Sequence, residues 1–425
     1  MTSFIKKKLT QLKSELALFS KEQRAFIFFA MLCGFFICCG YSIIRPVSNS
    51  IFLEKYSAAS LPYVWLAILP FNFAMVSLYN KLIPKWGSKR LFLGLTSLII
   101  VINLFAPFLS KTSTSFPFFF YMWKDVYVML LFQLLWSVIH SNIKLKTAKF
   151  LYGIFFGIGG MGSMLGSALP GFFAVTYGSE NLIFLSIPVY LLLTLTYVKM
   201  IGFNRGEVPK EEKGEEGGLF HGIKLITRSR FLMFILLIVI FMQMSLSIVD
   251  FQFHDFLGKA FPDKDLRTQY SGQIYGMMHT LTVGLQLVGT YLLLHWAGLK
   301  KSHFFVPSLL GLSSLLFIAA PVFPIAALLF IGLKACDHSI FTISKEMLYI
   351  PLKPEEKFQA KAVIDVFAYR SAKAVGSIII LCFQTLFIRV GETLTIANMG
   401  IALAWMICVY FGFREYDKLS ARQEA

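Results

Sequence analysis

A run of ionisable side chains recurs at helical spacing inside an apolar stretch near the end of the chain. Asp365, Tyr369 and Lys373 follow one another every four residues, with Arg370 beside them and Lys361 one turn earlier. At 100° per residue, the first three fall within about 80° of one helix face. An ionisable side chain in lipid costs roughly 2.5–3.5 kcal/mol, so this face should line a cavity. The chemistry it suggests is binding of a charged solute.

Other apolar stretches also contain isolated charges, and cations outnumber acids among them. Because the acids nearby are few (Asp125, Asp337 and Asp365), the cavity should be positive and suit an organic anion. The predicted substrate-binding or gating residues are Arg45, Lys124, Lys334, Lys361, Asp365, Tyr369, Arg370 and Lys373. Asp337 and Asp365 are candidates for proton coupling. The alternative for each residue alone is an interhelical salt bridge, for example between Lys373 and Asp337.

The elements that must position these residues are membrane-spanning helices. Of 425 residues, 56% are hydrophobic, only 15% are charged, and 45 are Phe. A soluble chain of this length needs far more polar surface, so a soluble enzyme is excluded. Apolar runs of membrane-spanning length predict twelve spans. These runs are 25–44, 61–82, 91–109, 116–139, 150–175, 181–200, 231–249, 271–296, 304–320, 324–343, 362–388 and 394–413.

The positive charge predicts the orientation of these spans. The net charge is +17, and 29 of the 40 Lys and Arg residues fall at the termini and in alternate loops, against 7 in the opposite loops. Basic residues mark cytoplasmic loops, so both termini should be cytoplasmic. Since the charge is spread over every inner loop, nucleic acid is not predicted as a partner.

Sequence similarity between the two halves of the chain predicts an internal repeat. A tight basic turn follows the second span of each half, with Gly87 in one and Gly298 in the other. Two parallel six-helix halves joined by a cytoplasmic loop define the major facilitator architecture, in which substrate binds between the halves. The predicted segments are a basic N-terminus (1–24), a six-helix bundle (25–201), a linker (202–230), a second bundle (231–413) and a tail (414–425).

The fifth span is unusually rich in glycine. Gly162 and Gly166 form a small-xxx-small pair, which lets helix backbones approach closely in lipid. We therefore predict that this span packs tightly at the interface between the two halves.

Motifs of enzymes that hydrolyse nucleotides, peptides or esters are missing from the sequence. It contains no P-loop, no H-E-x-x-H and no G-x-S-x-G. We predict a transporter and not an enzyme, with no cofactor and no metal site. Transport is then driven by exchange or by an ion gradient. The predicted partners are the lipid bilayer and a small anion, and the predicted state is a monomer.

The region around the tenth and eleventh spans resembles the ATP/ADP translocase family of plastids and intracellular bacteria. That family shows K-x-x-[LM]-[FY]-x-P, then K-x-K-A-K-x-x-I-D, then R-x-x-K-x-x-G. The matching residues here are Lys345, Leu348, Tyr349, Pro351, Lys357, Ala360, Lys361, Ile364, Asp365, Arg370, Lys373 and Gly376. Tyr41 and Arg45 are similar to the family's Y-x-x-x-R in the first span. Residues 148–157 are similar to its A-K-R-F-Y-x-x-F-G.

The resemblance implies a twelve-helix, major-facilitator-like fold in a bacterial inner membrane. It also implies exchange of ADP for ATP, or uptake of another nucleotide, with Arg45, Lys361, Asp365, Arg370 and Lys373 in the binding site or its gates. Where the family's exchangers carry a Lys and an acid after the first-span Arg, this chain has Ser48 and Asn49. The alternative is a proton-coupled facilitator of a different solute, such as an organic acid, a siderophore or another metabolite.

Overall fold

The computed structural model describes residues 20–142, 145–203, 219–352, 361, 363–364 and 369–424, with the side chains of 145–153, 219–223, 369–370, 420 and 422–424 left out. All regular structure in these residues is helical. The α-helices are α1 (Lys21–Lys55), α2 (Leu61–Thr112), α3 (Phe116–Asn142), α4 (Leu145–Tyr177), α5 (Ser186–Gly202), α6 (Leu219–Arg228), α7 (Arg230–Ala260), α8 (Lys264–Gly284), α9 (Thr290–Ala319), α10 (Phe323–Cys336), α11 (Thr342–Leu348), α12 (Tyr369–Leu386) and α13 (Val390–Glu424). Short 3₁₀ helices cover Ala58–Ser60 and Asn181–Leu185, and π-helical turns cover Leu285–Gly289 and Asp337–Phe341.

The described helices account for the twelve predicted spans. Nine helical segments are long and apolar enough to cross a membrane. Two of these, Ala58–Thr112 and Lys264–Ala319, have 55 and 56 residues. At 1.5 Å per residue each is about 80 Å long, more than twice the ~30 Å of the bilayer core. Each therefore supplies two spans, and the shorter apolar helix Ser371–Leu386 supplies the twelfth.

The two long segments are interrupted at equivalent glycines. Gly87 has φ 71° and ψ 164°, and Gly298 has φ 73° and ψ 172°. A positive φ is accessible to Gly at low cost because Gly has no Cβ. The same positive-φ conformation at the same place in each half confirms the predicted repeat and its basic turns.

Each half has its own apolar core. One cluster of buried side chains runs from Phe26 to Met200, and a second runs from Ile226 to Phe413. The fold therefore consists of two helical bundles, as the sequence predicted. Helix α6 lies within the predicted linker, most of which is outside the described residues. The exact segment boundaries stay a prediction.

Helix α1 is longer than the predicted run of 25–44. It continues to Lys55 through Ser48, Asn49 and Ser50, whose side chains are buried. Because these polar residues face protein and not lipid, a hydropathy pattern ends the span too early. The extension places polar groups of α1 against the second half.

The glycines of α4 allow it to approach α1 closely. A Cβ atom at Gly162 would overlap the carbonyl oxygen of Phe35, and one at Gly166 would overlap that of Cys39. The Gly162–Gly166 pair therefore makes the close contact that its spacing predicts, but inside the first half and not between the halves, because it packs against α1. Other glycines of α4 face the second half, where a Cβ at Gly160 would lie 2.5 Å from Val283 Cγ2.

Candidate functional site

A cavity of about 420 Å³ lies between the two halves. Five helices line it: α1, α2 and α3 from the first half, and α7 and α12 from the second. The lining residues are Tyr41, Trp65, Ile68, Leu69, Asn72, Asp125, Val128, Met129, Phe132, Gln243, Lys373 and Ala374. Its place agrees with the major facilitator architecture, in which the solute site lies between the bundles.

Helical periodicity explains how two helices line this cavity. Trp65, Ile68, Leu69 and Asn72 occupy positions i, i+3, i+4 and i+7 of α2, which share one face. The lining residues of α3 follow the same spacing from Asp125 to Phe132. On both helices most of the lining positions are apolar or aromatic, so each charged or amide side chain stands out.

Asp125 is the acidic group of the cavity, and first-half residues neutralise it. The Tyr41 hydroxyl donates a hydrogen bond to Asp125 Oδ1 at 2.8 Å, and Lys124 Nζ lies 3.3 Å from the same oxygen. The Lys124 side chain is only 2% exposed, and its Nζ lies 3.5 Å from the centre of the Tyr121 ring. Lys124 is therefore committed to an acid and a ring, and the pair adds no net charge to the cavity.

Replacing Asp125 with Asn is expected to destabilise the protein by about 3–5 kcal/mol, because it leaves the buried Lys124 without its counter-charge. Thermal unfolding in detergent measures the effect. The control is Asp255→Asn, which breaks the pair with the exposed Lys259 and should cost less than about 1 kcal/mol. Equal losses for the two variants would contradict a structural role for Asp125.

Arg45 and Lys373 are the cations of the site that have no acidic partner within 4 Å among the described residues. The Arg45 guanidinium lies 4.2 Å from the Tyr275 ring centre, and Lys373 Nζ lies 5.0 Å from the Trp65 ring centre. Each contact joins opposite halves of the protein. Cation–π contacts supply only part of the stabilisation that a counter-ion gives. These two cations are therefore available to an anion.

The remaining predicted residues of α10 and its π-turn are paired. Lys334 Nζ lies 2.8 Å from Asp250 Oδ2, so this ion pair forms where the sequence suggested Lys373 with Asp337. Asp337 is 2% exposed and accepts a hydrogen bond from Gln243 Nε2 at 3.5 Å. Since Gln243 lines the cavity, Asp337 is one side chain removed from it.

Four predicted residues remain. Lys361 lies away from the cavity, and the other three are not fully described. Lys361 Nζ pairs with Glu346 at 2.6 Å, and neither residue lines the cavity. Asp365 lies outside the described residues, as do the side chains of Tyr369 and Arg370. Their roles stay predictions.

Sequence reasoning missed several residues at this site. Trp65 and Asn72 have apolar neighbours at helical spacing, and only the α2 periodicity would have indicated them. Asp250, the ion-pair partner of Lys334, is also absent from the predicted site residues.

A buried polar chain connects the halves next to the cavity. Asn49 Nδ2 donates to the Tyr275 hydroxyl at 3.1 Å and lies 3.0 Å from His254 Nε2. His254 Nδ1 lies 2.7 Å from the carbonyl oxygen of Asp250, which can only accept. Nδ1 therefore carries the proton, and Nε2 accepts from Asn49. Asn49 occupies one of the two positions where the family's exchangers carry Lys and an acid.

Ion pairs and hydrogen bonds also join the halves at the end of the bundle opposite the chain termini, which we call the distal end. Lys264, at the start of α8, pairs with Glu180 and lies 3.3 Å from Glu54 Oε2. Arg267 Nη2 donates to the carbonyl oxygen of Ser50 at 2.8 Å. Every one of these contacts crosses from one half to the other, so they hold the distal end closed.

Backbone packing strengthens this closure. Ser179 donates to Asp265 Oδ1 from its backbone nitrogen at 2.7 Å and from its Oγ at 2.6 Å. Nearby, a Cβ atom at Gly272 of α8 would lie 2.5 Å from the backbone nitrogen of Gly171 in α4. An apolar cluster that includes Phe52 and Ile248 covers the same end. The two halves are in direct backbone contact there.

Two helical bundles with a charged cavity between them define a multi-pass membrane transporter of the major facilitator architecture. The chain belongs to the TLC ATP/ADP transporter family, whose sequence model matches residues 183–416. The resemblance drawn from the motif is thereby confirmed. The family is one of transporters and not of enzymes, in agreement with the sequence analysis.

Curated relatives are similar over nearly the whole chain. The ADP,ATP carrier protein 1 of Rickettsia bellii (strain RML369-C) is 22% identical over 467 residues, which covers 92% of this chain and 92% of that protein. The ADP,ATP carrier protein 1 of Chlamydia pneumoniae is 23% identical over 301 residues, with 61% of this chain and 58% of that protein covered.

Solved structures share the fold at low sequence identity. A mutant of the nucleoside transporter NupG superposes with a TM-score of 0.69 at 13% identity, covering 91% of this chain and 100% of that chain. A bacterial homologue of the iron transporter ferroportin, in an inward-facing state, gives a TM-score of 0.63 at 14% identity, with 93% and 99% covered.

Proposed function

We propose that this protein carries a nucleotide across the bacterial inner membrane by alternating access, either by exchange of ATP and ADP or by a related nucleotide uptake. The observation that carries this proposal is a pair of cations that have no acidic partner within 4 Å among the described residues. Lys373 lines the cavity between the halves, and Arg45 lies beside the lining residue Tyr41. An anion placed between them would contact both halves at once. The names of the curated relatives support a nucleotide as that anion.

The charge in and next to the described cavity favours an anionic solute such as a phosphorylated one. Among the described side chains there, the cations exceed the acids by one: Arg45, Lys124, Lys334 and Lys373 against Asp125, Asp250 and Asp337. Aromatic rings lie beside Arg45 and Lys373, and such rings also stack on a nucleobase. A nucleotide is a solute whose phosphates bind cations and whose base stacks on aromatic rings.

The residues after Arg45 bear on the choice between exchange and other nucleotide uptake. Ser48 and Asn49 stand where the family's exchangers carry Lys and an acid, so neither position supplies a cation for a phosphate. A missing charge-assisted contact lowers the binding free energy by about 1.5–3 kcal/mol. A nucleotide with fewer phosphates than ATP would lose less from this difference.

The closed distal end supports alternating access. We infer that both termini are cytoplasmic, since 29 basic residues lie on their side of the membrane. The distal contacts of Lys264 and Arg267 would then close the outer side, and the protein would face the cytoplasm. The ferroportin homologue with the similar fold is described as inward-facing.

The second candidate is a proton-coupled transporter of a different solute. Asp337 favours it, because its buried carboxylate is linked through Gln243 to the cavity. A carboxylate inside a membrane that can exchange its proton with a cavity is a usual element of proton relays.

Uptake into proteoliposomes tests the two candidates. Purified protein is reconstituted with or without internal nucleotide and supplied with labelled ATP, ADP, other nucleotides or organic acids. We expect uptake of a nucleotide that is competed by excess nucleotide, and an exchanger requires internal nucleotide as well. Uptake that an uncoupler blocks and excess nucleotide leaves unchanged would establish the proton-coupled alternative.

A further inference from the structure

One uncharged amide in the cavity wall has an unused hydrogen-bonding atom. Asn72 lines the cavity, and its Oδ1 is buried without a hydrogen-bond partner among the described residues. The other lining amide, Gln243, donates to Asp337. A buried acceptor without a partner is costly, and proteins tolerate it mainly where a ligand or a water completes the bond. Asn72 therefore has hydrogen-bonding capacity that its own protein does not use.

Asn72 lies at a distance from Lys373, the cation that lines the same cavity. It lies seven residues after Trp65 on the same face of α2, which is about 10 Å along the helix axis. Lys373 Nζ lies over the Trp65 ring. A solute whose phosphates are bound by Lys373 would therefore place another part of itself near Asn72. In a nucleotide, the ribose separates the phosphates from the base in this way.

The side chains around Asn72 are suited to a flat ring. Leu69 precedes it on the same face of α2, and α3 contributes Met129 and Phe132 to the cavity. Apolar and aromatic side chains contact the faces of a base, and a thioether adapts to ring edges. An Asn amide offers one acceptor and two donors, which matches the paired donor and acceptor on the edge of adenine.

We infer that Asn72 recognises the base of the transported nucleotide, with adenine as the base whose donor and acceptor its amide matches and whose faces the apolar lining contacts. This inference rests on the proposed function. It assigns the cations to the phosphates and Asn72 to selection among bases. Asn72 is a binding residue in this scheme and does not take part in gating.

The test compares a ligand that has a base with one that has none. Binding of ATP and of inorganic triphosphate to the purified full-length protein is measured for wild type, Asn72→Leu and Asn72→Ala. We expect wild type to bind ATP more tightly than triphosphate. Both variants should lose about tenfold in affinity for ATP, as for one or two lost hydrogen bonds, and should bind triphosphate unchanged.

The matched control is Asn398→Leu, which removes a second buried amide with an unpartnered Oδ1 that lies away from the cavity lining. It should bind both ligands as wild type does. An equal loss of both ligands in the Asn72 variants, or unchanged ATP binding, would overturn the assignment of Asn72 while the proposed function stands. If wild type binds neither ligand, the proposed function fails together with this inference.

Discussion

Uptake is expected to be lost when Lys373 is replaced with Gln, while the protein still folds and reaches the membrane. A charge-assisted contact is worth about 1.5–3 kcal/mol, so its removal lowers substrate affinity by roughly 10–150-fold. Folding should be little affected, because Lys373 has no acidic partner within 4 Å among the described residues that the substitution would leave unpaired. Initial uptake rates in proteoliposomes, normalised to the amount of folded protein, measure the effect.

Arg45→Gln should give the same result, since Arg45 belongs to the other half, lies beside the cavity-lining Tyr41 and contacts the Tyr275 ring. The control is Lys111→Gln at the exposed end of α2, which should transport as wild type does. Normal uptake by both Lys373→Gln and Arg45→Gln would exclude these two residues from the binding site. A variant that fails to accumulate as folded protein would instead show that its cation is structural.

A shift of conformation is expected when Gly272 is replaced with Ala. The added Cβ would lie 2.5 Å from the nitrogen and 2.9 Å from the Cα of Gly171, and both of these are backbone atoms. Helices α4 and α8 must then separate at the distal end. Overpacking of this kind costs about 1–3 kcal/mol, which changes the ratio of distal-closed to distal-open protein by roughly 5–150-fold.

The distance between spin labels on opposite halves measures this shift. Exposed positions are available at Tyr177 and Lys259, in a Cys382→Ser background that removes an exposed native thiol. We expect a longer distance and slower uptake for Gly272→Ala. Gly276→Ala is the matched control in the same helix, because its nearest new contact, Ser167 Cβ, is at 3.9 Å. An unchanged distance would show that the distal contact does not open.

Lys124 and Lys373 show why two similar residues near one cavity should respond differently to substitution. Lys124 is fully buried and bound to Asp125, so breaking this pair should reduce stability. Lys373 is partly exposed, lies beside the Trp65 ring and has no acid within 4 Å in the part of the chain that the structure describes, so its loss should reduce transport. In the sequence, Lys124 is followed directly by Asp125, whereas Lys373 has no acid within four residues on either side. Whether an acid lies within reach decides between the two roles.

Much of the architecture could be predicted from the order of the residues. Lipid imposes long apolar runs and excludes basic loops from one side, so spans and topology follow from hydropathy and charge. The basic turns at Gly87 and Gly298 indicated the repeat, and in the structure both glycines have a positive φ. These signals are local, and each can be read from a few neighbouring residues.

The site depended on contacts between helices that are far apart in sequence. A helical pattern tells which residues of α2 share a face, but it does not tell which helix packs against that face. The pairing of Lys334 with Asp250, the Asn49 contacts to His254 and Tyr275, and the place of Trp65 and Asn72 in the cavity all required the packed structure. The sequence alone determined that the chain crosses the membrane as two repeated bundles with scarce internal charges. Only the tertiary structure decided which of those charges are neutralised by protein and which remain for a solute, because a counter-ion acts over a few ångströms in space and leaves no fixed spacing in the sequence.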